Sequence, residues 1–327
     1  MVQNNSHLES SEPSKRYHPA LVTNLDVLTV EKEITGYLFS ENTTNWLYRI
    51  LYNINIKREG NKNLYLISGR IGTGKTLFLK YITYLINENT SKRAFVEFEN
   101  AVSNIKSEIT IADVKFLEEK ILKFNYNIII FNLSHVESGN GIVDAFFKQF
   151  NKYRGYNEFD IPLTILLERR LDINGKFLDF KKRIENKLGF NWETDAMTLV
   201  SCQLESVLKI AKESCNKIDI NAIRNQLSNP KSFADELNQI FENEIKEYLE
   251  EKEKDYRLMF FADDLQMSDF SSESKILEIK YLFNQLTSFD SRIAFLLSSA
   301  SLDEDNPYNK NMIELRDKIF VNKINLE

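Results

Sequence analysis

Residues 69–76 read GRIGTGKT, which fits the phosphate-binding pattern GxxxxGK[ST] at every fixed position. The apolar run LYLI (64–67) precedes this segment and the amphipathic stretch LFLKYI (77–82) follows it, so the predicted order is strand, glycine loop and helix. In that order, successive loop N–H groups and the positive end of the helix dipole converge on one point and can hold phosphate oxygens. The sequence therefore predicts a nucleoside triphosphate site. The less specific alternative is a glycine-rich turn before a helix.

Each fixed position of this glycine loop has a predicted task. Gly69, Gly72 and Gly74 are expected to take positive φ and to let the backbone approach the phosphates. Lys75 is expected to reach the β and γ oxygens and to take part in catalysis, and the Thr76 hydroxyl is expected to bind Mg²⁺. The predicted ligands are ATP and Mg²⁺. The residues predicted to bind the nucleotide are Gly69, Arg70, Ile71, Gly72, Thr73, Gly74, Lys75 and Thr76.

The segment LMFFADD (258–264) is an apolar strand that ends in two carboxylates, the form of a Walker B segment. Asp263 is predicted to orient Mg²⁺, and Asp264 is predicted to draw a proton from the attacking water. Most ATPases with an extra strand between the P-loop and Walker B strands have Glu in the second position. The shorter Asp264 therefore predicts slow hydrolysis with intact nucleotide binding. The alternative is that the pair only ends a strand.

A polar residue after a further strand is the third part of the predicted site. Ser298 and Ser299 follow the apolar run 293–297, where related enzymes have a sensor that contacts the γ-phosphate or positions water. We prefer Ser298 for this catalytic role, although serines also simply end strands. No arginine finger can be assigned from the sequence.

Apolar runs along the chain predict a mainly parallel sheet. The unbroken run IIIF (128–131) is typical of a strand covered by helices on both faces. Helical periodicity precedes the glycine loop at about 30–39 and 42–52, where the helices are expected to pack beside the nucleotide base, and it dominates 134–256. The predicted fold class is α/β, a P-loop NTPase of the AAA-like type with a large α-helical insertion. The predicted strands are residues 64–68, 94–98, 127–133, 257–262, 292–297 and 318–326.

Four regions follow from this pattern. Residues 1–20 are polar, contain two prolines and are predicted to form a disordered tail. The regions after the tail are the first part of the ATPase core (21–133), the helical insertion (134–256) and the second part of the core with the Walker B and sensor strands (257–327).

The charge and hydrophobicity of the chain limit the classes of partner that it can bind. The net charge is −6 and the pI is near 5.4, so the chain lacks the broad basic field of a DNA-coating protein. DNA binding stays open only through local basic clusters, at residues 181–183 and at Lys148, Lys152 and Arg154. No apolar run approaches the roughly 18 residues that span a bilayer, and the N-terminus has no signal-peptide core, so we expect a cytoplasmic protein without a membrane partner. The cysteines and histidines have no metal-type spacing.

Several segments resemble the BrxC family, the P-loop ATPases of bacteriophage-exclusion (BREX) defence systems. The RGY triplet and the GKF…FK…G…WE spacing discriminate more sharply than the P-loop, and the resemblance runs from about residue 21 to the end. The segments that carry it are EKEITGYLFSE (31–41), FFKQFNKYRGYNE (146–158), LERRLDINGKFLDFKKRIENKLGFNWE (167–193), FFADDLQ (260–266) and LLSSASLD (296–303).

The resemblance implies an AAA-like ATPase in an anti-phage complex with a DNA methyltransferase and a phosphatase-like subunit. ATP binding or hydrolysis would then drive assembly or DNA engagement. Two departures stand out: the family has Asp-Glu where this chain has Asp263-Asp264, and its members continue past residue 327. We therefore expect the C-terminal helical lid to be absent, as in a short homologue, a split gene product or a truncated chain.

Three functions stay open at this point. The first is an ATPase subunit of phage defence, with Lys75, Thr76, Asp263 and Asp264 carrying the chemistry. AAA-like ATPases usually complete their sites with a neighbour's arginine, which favours self-association, whereas the loss of the lid counts against a ring. The second is a nucleotide-gated binding module that hydrolyses ATP negligibly and uses the helical insertion as a partner platform. The third is a DNA-handling ATPase of the loader type.

Overall fold

A five-stranded parallel sheet forms the centre of the protein. The structure, a computed structural model, describes residues 27–56, 63–132, 142–157, 163–228, 245–250, 252–265, 291–300, 313 and 322–326. Within these residues the strand order is β2-β3-β4-β1-β5, and every paired neighbour is parallel. The strands are β1 (Leu64–Gly69), β2 (Asn125–Asn132), β3 (Tyr256–Leu265), β4 (Ile293–Ala300) and β5 (Asn322–Asn325).

The apolar runs form strands because both faces of the sheet are covered. In β3, Met259 and Phe261 belong to the hydrophobic cluster on one face, and Phe260 between them packs on the opposite face. All three side chains are fully buried, which explains the unbroken apolar run. The structure thus confirms an α/β fold with a parallel sheet.

The predicted strand at residues 94–98 is wrong. These residues lie inside helix α4 (Ser91–Asn104). Ala94, Phe95 and Phe98 are buried, whereas Val96 is 48% exposed. A strand inside the sheet would bury Val96 as well, while a helix that lies on the sheet turns Val96 to solvent. The run AFVEF is too short for its periodicity to separate the two. The sheet therefore has five strands in the described residues instead of the predicted six.

The described part of the chain contains ten α-helices. α2 begins where Ser40 Oγ accepts a hydrogen bond from the Thr43 amide (3.1 Å) and the Ser40 amide donates to Thr43 Oγ1 (2.8 Å), a reciprocal cap. No helix among the described residues has the length and apolarity to cross a bilayer. The helices are α1 (Val27–Thr35), α2 (Glu41–Asn55), α3 (Lys75–Ile86), α4 (Ser91–Asn104), α5 (Ile111–Ile121), α6 (Ile142–Tyr153), α7 (Arg169–Ile173), α8 (Phe177–Leu188), α9 (Trp192–Ser214) and α10 (Ile220–Ser228).

Different helices pack on the two faces of the sheet. Helices α1 to α5 share one hydrophobic cluster with β1, β3, β4 and β5. Helix α6 covers the other face, because the Phe146 ring lies 4.5 Å from the Phe260 ring and 5.8 Å from the Phe295 ring. Phe146 and Phe150 lie in the predicted helical insertion (134–256). Their rings pack on the sheet instead, so α6 is part of the sheet's own cover.

The helices after α6 have a separate core. A second cluster of buried residues joins a π-helical turn (Thr164–Glu168) to α7, α8, α9 and α10, which we call the helical unit. At its centre the buried carboxylate of Glu168 accepts hydrogen bonds from the Trp192 indole N–H (2.7 Å) and from the Asn157 amide (2.7 Å). Glu168 thereby links the end of the RGY segment to the start of α9. The boundaries of the predicted regions stay a prediction.

Glu168 makes the stability of this core depend on pH. Burial raises the pKa of its carboxyl above the ordinary value of 4.5. The folded protein therefore holds the proton at pH values where the unfolded chain has released it, and the free energy of unfolding falls as the pH rises from 4.5 through the raised folded-state pKa. In Glu168→Gln this fall is expected to disappear. Urea unfolding midpoints of both proteins from about pH 5 to about pH 8 measure the difference.

Glu193→Gln is the matched control. Its hydrogen bond with Lys181 lowers the pKa of Glu193, so the stability that this carboxylate contributes is lost only below 4.5 and is constant over the same range. Parallel midpoint curves for the wild type and Glu168→Gln would contradict the assignment.

Candidate functional site

The glycine loop (residues 69–76) joins β1 to α3 at the carboxyl edge of the sheet. Gly72 has φ of +91° and Gly74 has φ of +85°, the left-handed conformation that was predicted for both. The prediction is wrong for Gly69, which is not among the positive-φ glycines. Gly69 is needed for close packing, because a Cβ there would lie 2.5 Å from Thr73 Oγ1. The Thr73 hydroxyl donates a hydrogen bond to the Arg70 carbonyl (2.9 Å), which stabilises the loop.

The ammonium of Lys75 lies over the loop that it follows. Lys75 Nζ donates hydrogen bonds to the carbonyls of Gly69 (2.7 Å) and Arg70 (2.9 Å). Ile71 at the tip of the loop is 90% exposed, so the outer side of the loop is open to solvent. The ammonium is therefore held at the glycine loop by charge-assisted hydrogen bonds to its carbonyls.

A buried carboxylate connects the loop to the middle of the sheet. Asp263 Oδ2 accepts a hydrogen bond from Thr76 Oγ1 (2.8 Å), and Asp263 Oδ1 accepts one from Ser298 Oγ. Asp263 is 6% exposed and Ser298 is 1% exposed. Thr76 starts α3, Asp263 lies near the end of β3 and Ser298 lies in β4. Three of the predicted site residues therefore meet at one carboxylate, at the edge where ligands bind in open α/β sheets.

The backbone around Asp263 is irregular. Ala262 pairs with Leu297 and Leu265 pairs with Ser299, so Asp263 and Asp264 together stand opposite the single residue Ser298. This is a β-bulge, a device that re-aims side chains and is frequent beside active sites. The sequence carries no local signal for it, because it exists only in the pairing of two distant strands. The side chain of Asp264 lies outside the described residues, and its role stays a prediction.

Ser298 has a role that the sequence did not indicate. We predicted a sensor that contacts phosphate or water, but its hydroxyl donates to Asp263. Ser299, the other candidate, is also buried. Ser298 is thus placed to orient the predicted metal ligand, because a hydrogen bond to a metal-binding carboxylate fixes the direction of its oxygens.

The basic clusters considered for DNA are largely paired. Lys181 forms a 2.7 Å ion pair with Glu193, and Arg183 forms a 2.8 Å pair with Asp179. In the second cluster, the Arg154 guanidinium lies 4.1 Å from the centre of the Phe150 ring. The carboxylate partners reduce the positive field at residues 181–183, whereas the Phe150 ring holds the Arg154 guanidinium without changing its charge.

Metal chemistry and comparison with known families add two negative findings. In the described part of the chain, His, Cys, Asp and Glu do not gather in groups of three or more that could hold a metal ion. A site with Thr76 and Asp263 would take its other ligands from phosphate and water, as Mg²⁺ usually does. The sequence matches no protein-family model.

Ser298 can act as a donor to Asp263 or as a sensor of nucleotide, and a measurement on the protein without nucleotide separates the two roles. Ser298→Ala is expected to lower the free energy of unfolding of the nucleotide-free protein by about 1–3 kcal/mol, because the buried carboxylate loses a donor. Urea unfolding measures the loss, and a cycle with Asp263→Ala isolates the pair. A sensor that contacts only nucleotide predicts no loss. Equal losses with and without the Asp263 carboxylate would also contradict the assignment.

Proposed function

We propose that this chain is an Mg²⁺-dependent P-loop ATPase. The observation that carries the proposal is the convergence of Thr76, Asp263 and Ser298 beside a glycine loop with two left-handed glycines. Thr76 was predicted from the glycine-loop motif alone, and Asp263 was predicted from the strand pattern alone. That two segments separated by 187 positions meet through a 2.8 Å hydrogen bond is independent of either pattern.

The order of the strands supports the finer fold assignment. β4 lies between β1, which leads into the glycine loop, and β3, which carries Asp263. This is the arrangement of ATPases that have an additional strand between the P-loop and Walker B strands. A simple dinucleotide-binding fold lacks the GK[ST] ending of the loop, whose Lys and Thr serve phosphate and Mg²⁺.

The residues divide the work of binding as follows. The amides of the glycine loop and the start of α3 hold phosphate oxygens, and Lys75 exchanges the carbonyls of Gly69 and Arg70 for the β and γ oxygens. Thr76 and Asp263 hold Mg²⁺, with Asp263 oriented by Ser298. When bound, Mg²⁺ neutralises charge on the phosphate oxygens.

Hydrolysis would require a base near the γ-phosphate, and Asp264 is the residue we propose for it. It follows Asp263 directly in the bulge. The side chain of Asp is one methylene shorter than that of the more common Glu, and a misplacement of about 1 Å can cost about a hundredfold in rate. Slow turnover with intact binding is the expected behaviour.

We also propose that the chain is a BREX-type ATPase that works with a methyltransferase and a phosphatase-like subunit. The support is the sequence resemblance, to which the structure adds a reason for its most distinctive residues. Tyr156 of the RGY triplet donates to Asp172 (2.5 Å), and Trp192 of the WE pair donates to Glu168. These residues hold the helical unit together, so the resemblance supports a shared helical unit more directly than a shared partner.

Turnover of Mg·ATP by the purified chain, scanned over protein concentration, tests the proposal. We expect micromolar to millimolar ATP binding that Lys75→Ala abolishes, and slow hydrolysis that Asp264→Glu accelerates. Turnover per chain that rises with concentration would indicate a site shared between copies.

Two outcomes would count against the proposal. ATP binding that is unaffected by Lys75→Ala would remove the glycine loop from the site. Tight binding without turnover, in the wild type and in Asp264→Glu alike, would favour the nucleotide-gated binding module over the ATPase.

A further inference from the structure

The helical unit contains a basic cavity of about 650 Å³, formed by the end of α9, the start of α10 and the residues between them. Its volume is within the range of small-molecule sites, about 300–1,000 Å³. The described residues that line it are 217–221 together with Lys212 and Arg224. Lys212, Lys217 and Arg224 are positively charged and only Asp219 is negatively charged, so the lining is basic although the whole chain has a net charge of −6.

Hydrogen bonds hold the backbone around this basic cavity in place. Lys212 Nζ donates to the carbonyls of Asn216 (2.6 Å) and Ile218 (2.8 Å), which ties the connecting residues to α9. The Ile218 side chain is 2% exposed and belongs to the cluster of the helical unit. Asp219 Oδ1 accepts hydrogen bonds from two amides of the first turn of α10 (3.0 and 3.1 Å) and caps that helix. The lining is therefore preformed, which lowers the ordering cost of binding.

The three cations keep N–H donors for a ligand. An ammonium has three donors and a guanidinium has five. Lys212 uses two donors on carbonyls, and Arg224 uses three, on the Glu205 carboxylate and on Asn221 Oδ1. In the described part of the chain, Lys217 makes no hydrogen bond or ion pair. Each of the three side chains thus retains at least one donor, and neither ammonium has a carboxylate partner among the described residues.

The remaining donors suit a phosphate group. They come from three separate places, namely α9, the connecting residues and α10, and all of them are charged. A phosphate presents several strong acceptor oxygens in a tetrahedral arrangement and forms short, charge-assisted hydrogen bonds with Lys and Arg. Lys212 and Lys217 are exposed, so the cavity is open to solvent and can take a phosphate that is attached to a larger molecule.

We propose that this basic cavity binds a phosphate group, carried by a free phosphate compound or by the backbone of a nucleic acid. The site belongs to the helical unit, and it is independent of the glycine loop and of the proposed ATPase activity. The two sources share their chemistry at the cavity but differ in their response to salt. A nucleic acid releases condensed counterions when a cation contacts its backbone, so its affinity falls steeply as the salt concentration rises.

The test uses the full chain with Lys75→Ala, which is expected to remove phosphate binding at the glycine loop. Inorganic pyrophosphate is titrated by calorimetry, and a short labelled DNA duplex is titrated by fluorescence anisotropy. Lys217→Glu reverses one charge of the lining. Lys209→Glu is the matched control, because it makes the same change at an exposed position of α9 outside the described lining.

Lys217→Glu is expected to weaken the binding of at least one probe by about tenfold or more, whereas Lys209→Glu changes it by less than about twofold. Weakening of pyrophosphate alone supports the inference and identifies a free phosphate compound as the ligand. Weakening of DNA, with a salt slope of log K that falls by about one, supports it and identifies the nucleic-acid backbone.

Two results overturn the inference and leave the proposed ATPase standing, because ATP binding is measured on the chain that retains Lys75. One is that neither probe binds. The other is that Lys217→Glu and Lys209→Glu have equal effects, which would show only the general charge of the chain. If Lys217→Glu shifts the urea unfolding midpoint, Lys217→Gln and Lys209→Gln replace the two variants, and the same comparison decides.

Discussion

The buried carboxylate of Asp263 receives two hydroxyl hydrogen bonds, one from the start of α3 and one from β4. A carboxylate with so little solvent contact is costly unless its oxygens are bonded, so the three elements must keep this arrangement or lose stability. The glycine loop is thereby fixed to the sheet at its α3 end. Lys75 and the two left-handed glycines lie in the loop that this hydrogen bond attaches.

The sheet makes this convergence possible. Parallel strands bring their carboxyl ends to one edge, and both faces must then be covered by helices. Helices α1 to α5 cover one face, and α6 covers the other through Phe146 and Phe150. The helical unit has its own cluster, with Glu168 and Trp192 at its centre, and is therefore stabilised apart from the sheet. Among the described residues, the glycine loop and the bulge lie at the carboxyl edge of the sheet.

Local sequence patterns predicted most of the strands and the motif residues. The features that depend on pairing between distant segments could not be predicted in this way. The predicted strands at 64–68, 127–133, 257–262 and 292–297 were identifiable because burial on both faces gives each an unbroken apolar segment, such as IIIF at 128–131. The run at 94–98 has a similar short apolar segment, but it lies in a helix that turns Val96 to solvent. Thr76 and Asp263 followed from motifs. The bulge at Asp263 and the bond from Ser298 did not, because register between strands has no local signature. Glu33 and Lys80 are 47 positions apart, so the periodicity of neighbouring residues could not predict their ion pair.

The most direct measurement is the effect of Mg²⁺ on ATP affinity in the wild type and in Asp263→Asn, which keeps the size of the side chain and one acceptor but removes the charge. Titrations with Mg²⁺ and with EDTA give the four dissociation constants. If Asp263 is the metal ligand that joins the loop to the sheet, Mg²⁺ tightens ATP binding at least about tenfold in the wild type and has little effect in the variant. The EDTA affinities are then similar. An Asp263→Asn protein that keeps the full Mg²⁺ effect would contradict the account.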